Sequence, residues 1–128
     1  MNRPTDPCPC GGARYASCCA PLHGGSQAAA TAERLMRSRY SAYVLELGDY
    51  LLATWHPGAR PAEALRFEPG LKWLGLEVRE HKNLGEDRAE VLFVARSKLG
   101  GRAHRLVERS RFVREGGRWF YVDGDVAD

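Results

Sequence analysis

All four cysteines of this chain fall within twelve consecutive positions, CPCGGARYASCC, residues 8–19. Their spacing is Cys-x-Cys, seven residues, then Cys-Cys. Clustered thiols have three chemical uses: ligands to a metal ion, partners in disulfides, or a redox couple. Disulfides need an oxidising compartment, and the N-terminal stretch MNRPTDPCPC lacks the apolar core of a secretory signal, so the reducing cytoplasm is the expected location. A vicinal pair at Cys18 and Cys19 would leave Cys8 and Cys10 without a role. Four thiolates match the ligand count of a structural zinc site, and His23 is the substitute ligand if one cysteine points away. Such a set saturates the ion, leaving no open position for water or substrate, so the expected site organises the chain and does not react.

A second group of residues could do chemistry in the rest of the chain: Arg39, Asp49, Trp55, His56, Glu77, Glu90, His104 and Glu108. An acid-base site needs a proton acceptor facing a donor or an oxyanion stabiliser. Glu108, in RLVERSRF, shares a strand face with Leu106, Ser110 and Phe112, which marks a covered carboxylate. His56, between Trp55 and a proline, is either a base or ligand contact or the residue that closes a short helix. No Ser-His-Asp order and no phosphate-binding glycine loop is present, and no residue is assigned a catalytic role.

These residues must be positioned by the elements around them. Residues 1–30 are rich in Pro, Gly, Ala and Cys without an apolar period, so the cysteines are what can hold this segment. Thr31 is an N-cap, and apolar residues recur at Leu35, Met36, Tyr40, Tyr43, Val44 and Leu47, giving an amphipathic helix of about four turns stopped by Gly48. Arg39 lies on the apolar face of that helix. A core-facing guanidinium needs compensation, and an acidic partner is expected, Glu108 being the natural one, either as a structural ion pair or as charged pocket lining. Asp49 is expected to cap a second short helix over 50–54, ended by Trp55, His56 and Pro57. Residues 57–70 read as a connector. The period then becomes two, predicting strands at 72–83, 87–99, 102–115 and 118–124 with glycine pairs at 100–101 and 116–117 as hairpin turns. Helices followed by consecutive strands predict an α+β fold: a curved antiparallel sheet of about four strands, the helices on its concave face, cone-like, with a small zinc knuckle at the N-terminus.

Composition bounds the partners. The chain has 128 residues, 44% hydrophobic and 27% charged, with a net charge of +3, values ordinary for one soluble domain. Residues 96–118 carry eight basic side chains against Glu108 and Glu115, which leaves nucleic-acid binding open through these strands. Arginines on the solvent face of alternating strands produce the same run.

The stretch CPCGGARYASCC resembles a SEC-C motif, the zinc-binding segment found at the end of the preprotein translocase motor. AERLMRSRYSAYVLELGDYLLATWHP and ERSRFVREGGRWFYVDG resemble the YchJ-type (UPF0225) family, whose main domain is nuclear-transport-factor-2-like. The resemblance implies Cys8, Cys10, Cys18 and Cys19 as zinc ligands, the last in a place that is histidine in other SEC-C motifs, with an arm between the second and third ligands one residue shorter than usual. It implies a division into a SEC-C segment, 1–28, and the main domain, 29–128. It also implies a docking element, so a protein or ribosome partner met through the knuckle, with Arg14 and Tyr15 at the surface, is the first functional expectation. The alternative is a small-molecule-binding or enzymatic cone with a pocket lined by Arg39, Trp55, His56 and Glu108.

Overall fold

The structure, a computed structural model, describes residues 6–127. The first five residues, which form part of the stretch without a signal core, and Asp128 lie outside it. In chain order it contains a 3-10 turn at Tyr15–Ser17, helices α1 (Ala20–His23), α2 (Ala32–Leu45) and α3 (Gly48–Ala53), and strands β1 (Lys72–Asn83), β2 (Arg88–Leu99), β3 (Arg102–Glu115) and β4 (Arg118–Ala127). The strands form one antiparallel meander in the order β1-β2-β3-β4, as the alternating pattern predicts. Both glycine pairs have positive φ, 58° and 79° at Gly100 and Gly101 and 59° and 79° at Gly116 and Gly117, the backbone of the tight primed hairpin turn.

Thr31 caps α2 as expected, its hydroxyl accepting from the Arg34 amide at 3.1 Å. Helix boundaries differ from expectation, and β4 runs to Ala127, three residues past its predicted end. The helix ends in a left-handed Glu46 (φ 57°), and Gly48 is the first residue of α3 and not the stop of α2. Asp49 lies inside the first turn of α3, where its charge favours the helix N-terminus, without a side-chain cap bond from the preceding Leu47.

Helix α2 lies against one face of the sheet. Leu35, Met36 and Tyr40 join Ala89, Val91, Phe93, Ala95, Phe112 and Trp119 in a core that also contains Cys8, Cys10 and Cys19. Knuckle and main domain thus share one apolar interior. Register shifts in β1 between Trp73 and Gly75 and between Val78 and Glu80, and in the β3-β4 pairing at Arg111/Phe112, bend these strands.

Ion pairs across the sheet account for half of the basic run at 96–118. Arg96 pairs with Glu77, Arg109 with Glu80 and Glu90, and Arg111 with Asp123 and Asp125, while Arg114 meets Asp87 in the β1-β2 turn. The acids that balance these arginines come from neighbouring strands and a turn, so a count along one segment of chain overstates the local charge.

Candidate functional site: a cysteine knuckle and a cavity on two sides of one helix

The knuckle is built from tight backbone turns. Gly11, at φ 101°, supplies the left-handed residue between Cys10 and Gly12, and the Cys8 amide donates to the Gly12 carbonyl at 3.1 Å. A side chain at Gly12 would put its Cβ 2.5 Å from Cys18 Sγ, so the second glycine is required by space. The four sulfurs converge: every pair lies within 4.8 Å, with Cys10–Cys18 at 3.5 Å, Cys10–Cys19 at 3.7 Å and Cys18–Cys19 at 4.0 Å. A tetrahedron with metal-sulfur bonds of about 2.3 Å has sulfur-sulfur edges of about 3.8 Å. The cluster therefore has the donors and the size to fit one ion, and no disulfide links its members. The shorter arm between Cys10 and Cys18 still brings all four thiols together.

His23 is occupied elsewhere. Its Nε2–H donates to the Ser38 carbonyl at 2.8 Å, which leaves Nδ1 to accept from the Tyr15 hydroxyl at 2.7 Å. Burial pushes this imidazole toward its neutral form, in agreement with that pattern. Tyr15 is thereby tied inward by its hydroxyl, while Arg14 stays exposed.

Helix α2 grips the knuckle from one side. Arg34 donates to the Cys18 carbonyl at 2.8 Å and to Cys18 Sγ at 3.8 Å, Arg37 donates to the Cys10 carbonyl at 3.0 Å, and Ser41 Oγ lies 3.5 Å from Cys8 Sγ. These are outer contacts of the kind that fix ligand orientation, and the two arginines would oppose the negative charge of four metal-bound thiolates. Among the thiols themselves, Cys19 donates to Cys10, and this bond above all holds Cys10 well below its ordinary value against its burial. Cys18 is pushed up, by burial first and then by its bond to Cys10.

On the other side of α2, between the helix and the sheet, lies a cavity of about 280 Å³. Its walls are mostly aromatic and aliphatic, among them Met36, Tyr40, Trp73, Phe93, Leu106 and Phe112, and its polar groups are few: Arg39, Glu108, Ser110 and the tyrosine hydroxyls. Arg39 is buried, 5% exposed. One of its terminal nitrogens donates to the Leu51 carbonyl and to Thr54 Oγ1, both at 2.7 Å, and the guanidinium carbon sits 4.6 Å from the centre of the Tyr121 ring and 5.3 Å from that of Trp55.

The expected ion pair between Arg39 and Glu108 is not formed. One Glu108 oxygen, Oε2, accepts instead from Ser110 Oγ at 2.6 Å and from the Tyr121 hydroxyl at 3.2 Å. Tyr121 stands between the two charges, its ring against the cation and its hydroxyl on the carboxylate. Room for Glu108 comes from Gly124 on β4, where a Cβ would collide with the carboxylate. Burial raises Tyr121 well above the ordinary phenol, with the Glu108 charge next, so the phenol stays a donor.

Of the candidates named from the sequence, the cavity takes Arg39, Trp55 and Glu108 and does not take His56. Residues 54–56 pair with β4: the Tyr121 amide donates to the Thr54 carbonyl at 2.9 Å, and the His56 amide donates to the Tyr121 carbonyl at 2.8 Å. Alternation along this extended stretch sends Trp55 inward, its indole N–H donating to the Val122 carbonyl, and sends His56 to the other side. There His56 Nδ1 accepts from the Gly58 amide and Nε2–H donates to Glu115, at 3.1 and 2.9 Å. His56 closes a turn. Asp49 and His104 are exposed, and Glu77 and Glu90 lie in the ion pairs of the opposite face. Tyr121, Thr54 and Tyr43 escaped the sequence reading as site residues; for Tyr43, its place on the apolar face of α2 was the available signal.

No helix among the described residues is long and apolar enough to cross a membrane. Comparison with known proteins agrees with this architecture. The family model for the YchJ middle, nuclear-transport-factor-2-like domain matches residues 31–124. A UPF0225 protein of Methylibium petroleiphilum is 62% identical over 94% of this chain and 88% of its own length, and one of Ralstonia nicotianae is 53% identical over 96% and 93%. Among solved structures, a SEC-C motif containing protein from Rhodopseudomonas palustris matches with a TM-score of 0.83 at 34% identity, covering 96% of this chain and all of that one. Another from Psychrobacter arcticus matches with a TM-score of 0.81 at 30% identity, over 98% and 85%. With its cysteine knuckle, its four-stranded meander and these relatives, the chain belongs to the YchJ-type UPF0225 family of SEC-C motif proteins.

Proposed function

We propose that this protein is a small-molecule-binding protein of the reducing cytoplasm in which a structural zinc ion, held by Cys8, Cys10, Cys18 and Cys19, fixes the helix that forms one wall of the binding cavity. Zinc suits four sulfur donors at these separations, supplies folding energy and has no open position for chemistry. The observation that carries the binding function is the cavity: an interior of about 280 Å³ with apolar walls and a few convergent polar groups, the usual composition of a ligand site. The volume is at the small end for such sites, which points to a ligand of one or two rings and not a nucleotide or a peptide. The knuckle serves this function by anchoring Arg34, Arg37 and Ser41 of α2, with three of its four cysteines buried. A protein or ribosome partner would instead have to read the exposed remainder of the knuckle, chiefly Arg14.

The test is an NMR titration of the full-length, zinc-loaded protein with three probes of one shape and different charge: 2-naphthoate, 2-naphthamide and 2-naphthylmethylammonium. At least one probe is expected to shift the Met36 methyl and Trp55 indole signals, and Leu106→Trp, which fills the cavity, should abolish the shift in a protein that still melts cooperatively. Failure of all three probes at millimolar concentration would remove the cavity as a binding site.

A further inference from the structure

We propose that the ligand of this cavity is a small monocarboxylate with a flat apolar body, its carboxylate seated on Arg39. The proposal depends on the cavity being a binding site and adds which chemical class occupies it.

Arg39 is a buried cation that lines the cavity, and among the described residues it makes no ion pair. A charge taken out of water without a counter-charge is among the costliest arrangements a protein can hold. Its compensation here is partial. Two aromatic rings lie against the guanidinium, and a single carbonyl and a hydroxyl engage one terminal nitrogen. A guanidinium has five N–H donors in a planar fork, and these two bonds leave the edge formed by Nε and the other terminal nitrogen without a protein acceptor among the described residues. That edge matches the two oxygens of a carboxylate. Burial pushes Arg39 down from its usual value, with the surrounding tyrosines and Glu108 opposing it, so an incoming anion would relieve a standing cost.

The rest of the cavity narrows the class. Among the described residues Arg39 is the one cation that lines it, and the Glu108 carboxyl lines it as well, so a second negative charge on the ligand would meet no second cation and a monoanion fits where a dianionic phosphate does not. Trp73, Phe93, Tyr40 and Phe112 provide apolar and aromatic walls for a planar body. Glu108 uses Oε2 for its two protein donors, leaving Oε1 to accept from a hydroxyl or amine on the ligand.

The experiment is the ranking of the three naphthalene probes on the wild-type, zinc-loaded protein. The naphthoate should bind at least tenfold more tightly than the amide or the ammonium, and Arg39→Gln should erase that preference while leaving amide binding in place. Equal or tighter binding of the amide or the ammonium would overturn the carboxylate assignment and leave the cavity as a site. No binding by any probe would overturn the assignment together with the cavity. The wild-type ranking decides the matter even if an Arg39 variant does not fold, and Glu108→Gln, which removes a negative charge near the site, should keep or strengthen the preference for naphthoate.

Discussion

On the knuckle side of α2, Arg34 and Arg37 donate to the carbonyls of Cys18 and Cys10, Ser41 meets Cys8, and His23 has both ring nitrogens bonded. On the cavity side, two residues after Arg37, Arg39 faces space, with two π faces against it and no ion pair among the described residues. The same residue type on the same helix is satisfied in one setting and left short in the other. Satisfied polar networks fix structure, whereas a buried charged group held without its full set of partners in a cleft is a candidate for a functional site. The contrast separates what the cysteines do from what the cavity does.

The largest effect that could break the contrast is expected at Cys19. Cys19→Ser should lower metal content well below one per chain and lower the melting midpoint by more than about 10 °C, because the affinity of a structural site is also folding energy. Metal analysis and calorimetry check this, and a variant that keeps full metal and full stability would show that the cluster does not clamp the fold. Arg34→Met ranks next: by removing an outer contact to Cys18 it should weaken zinc binding by about 10- to 100-fold in a chelator competition, with the fold retained.

Arg39→Met sharpens the comparison from the other side. Replacing an unpaired buried charge with an apolar side chain of similar volume is often neutral or stabilising, so the unfolding free energy should stay within about 1 kcal/mol of wild type or rise, while the preference for 2-naphthoate disappears. A large loss of stability in this variant would mean that Arg39 belongs to the scaffold.

The smallest effect concerns the outer face. Arg111, first by its hydrogen bond and then by its charge, holds Asp125 below the usual carboxylate range. A lowered carboxyl contributes stability above its unfolded value of about 4, and that contribution fades as pH falls through the lower folded value. The stability difference between wild type and Arg111→Gln should therefore be small near pH 6 and vanish near pH 2. Measuring the difference between the two proteins cancels any acid-driven change at the cysteine cluster that both share, and a difference that persists at pH 2 would remove the ion pair as its source. Since both partners are exposed, the effect should be at the limit of calorimetric resolution.

Much of this architecture was legible because it depends on local rules. Alternation and the two glycine pairs located the strands, Thr31 marked the start of α2, and the helical phase put Arg39 inside. The cysteine spacing singled out the knuckle as one unit. What could not be read depends on how distant backbone meets. The partners of Arg39 are a carbonyl and a hydroxyl at the end of α3, which no pattern of charged residues announces. His56 left the cavity because residues 54–56 pair with β4 as a short extended segment, and this pairing has no turn signal. Tyr121 follows plain alternation from the core residue Trp119 and was open to reading, whereas the extra residue Val122 opposite Arg111/Phe112 reverses only the positions after it and so turns Gly124 toward Glu108, which no local pattern announces.

The most direct test of the division of labour on α2 is the binding of 2-naphthoate to zinc-loaded Arg39→Met beside the wild type. The expected result is a variant with one zinc per chain, an unchanged or higher melting midpoint and at least tenfold weaker binding of 2-naphthoate. Binding at wild-type strength in that variant would contradict the account, because the buried cation would then have no part in what the cavity holds.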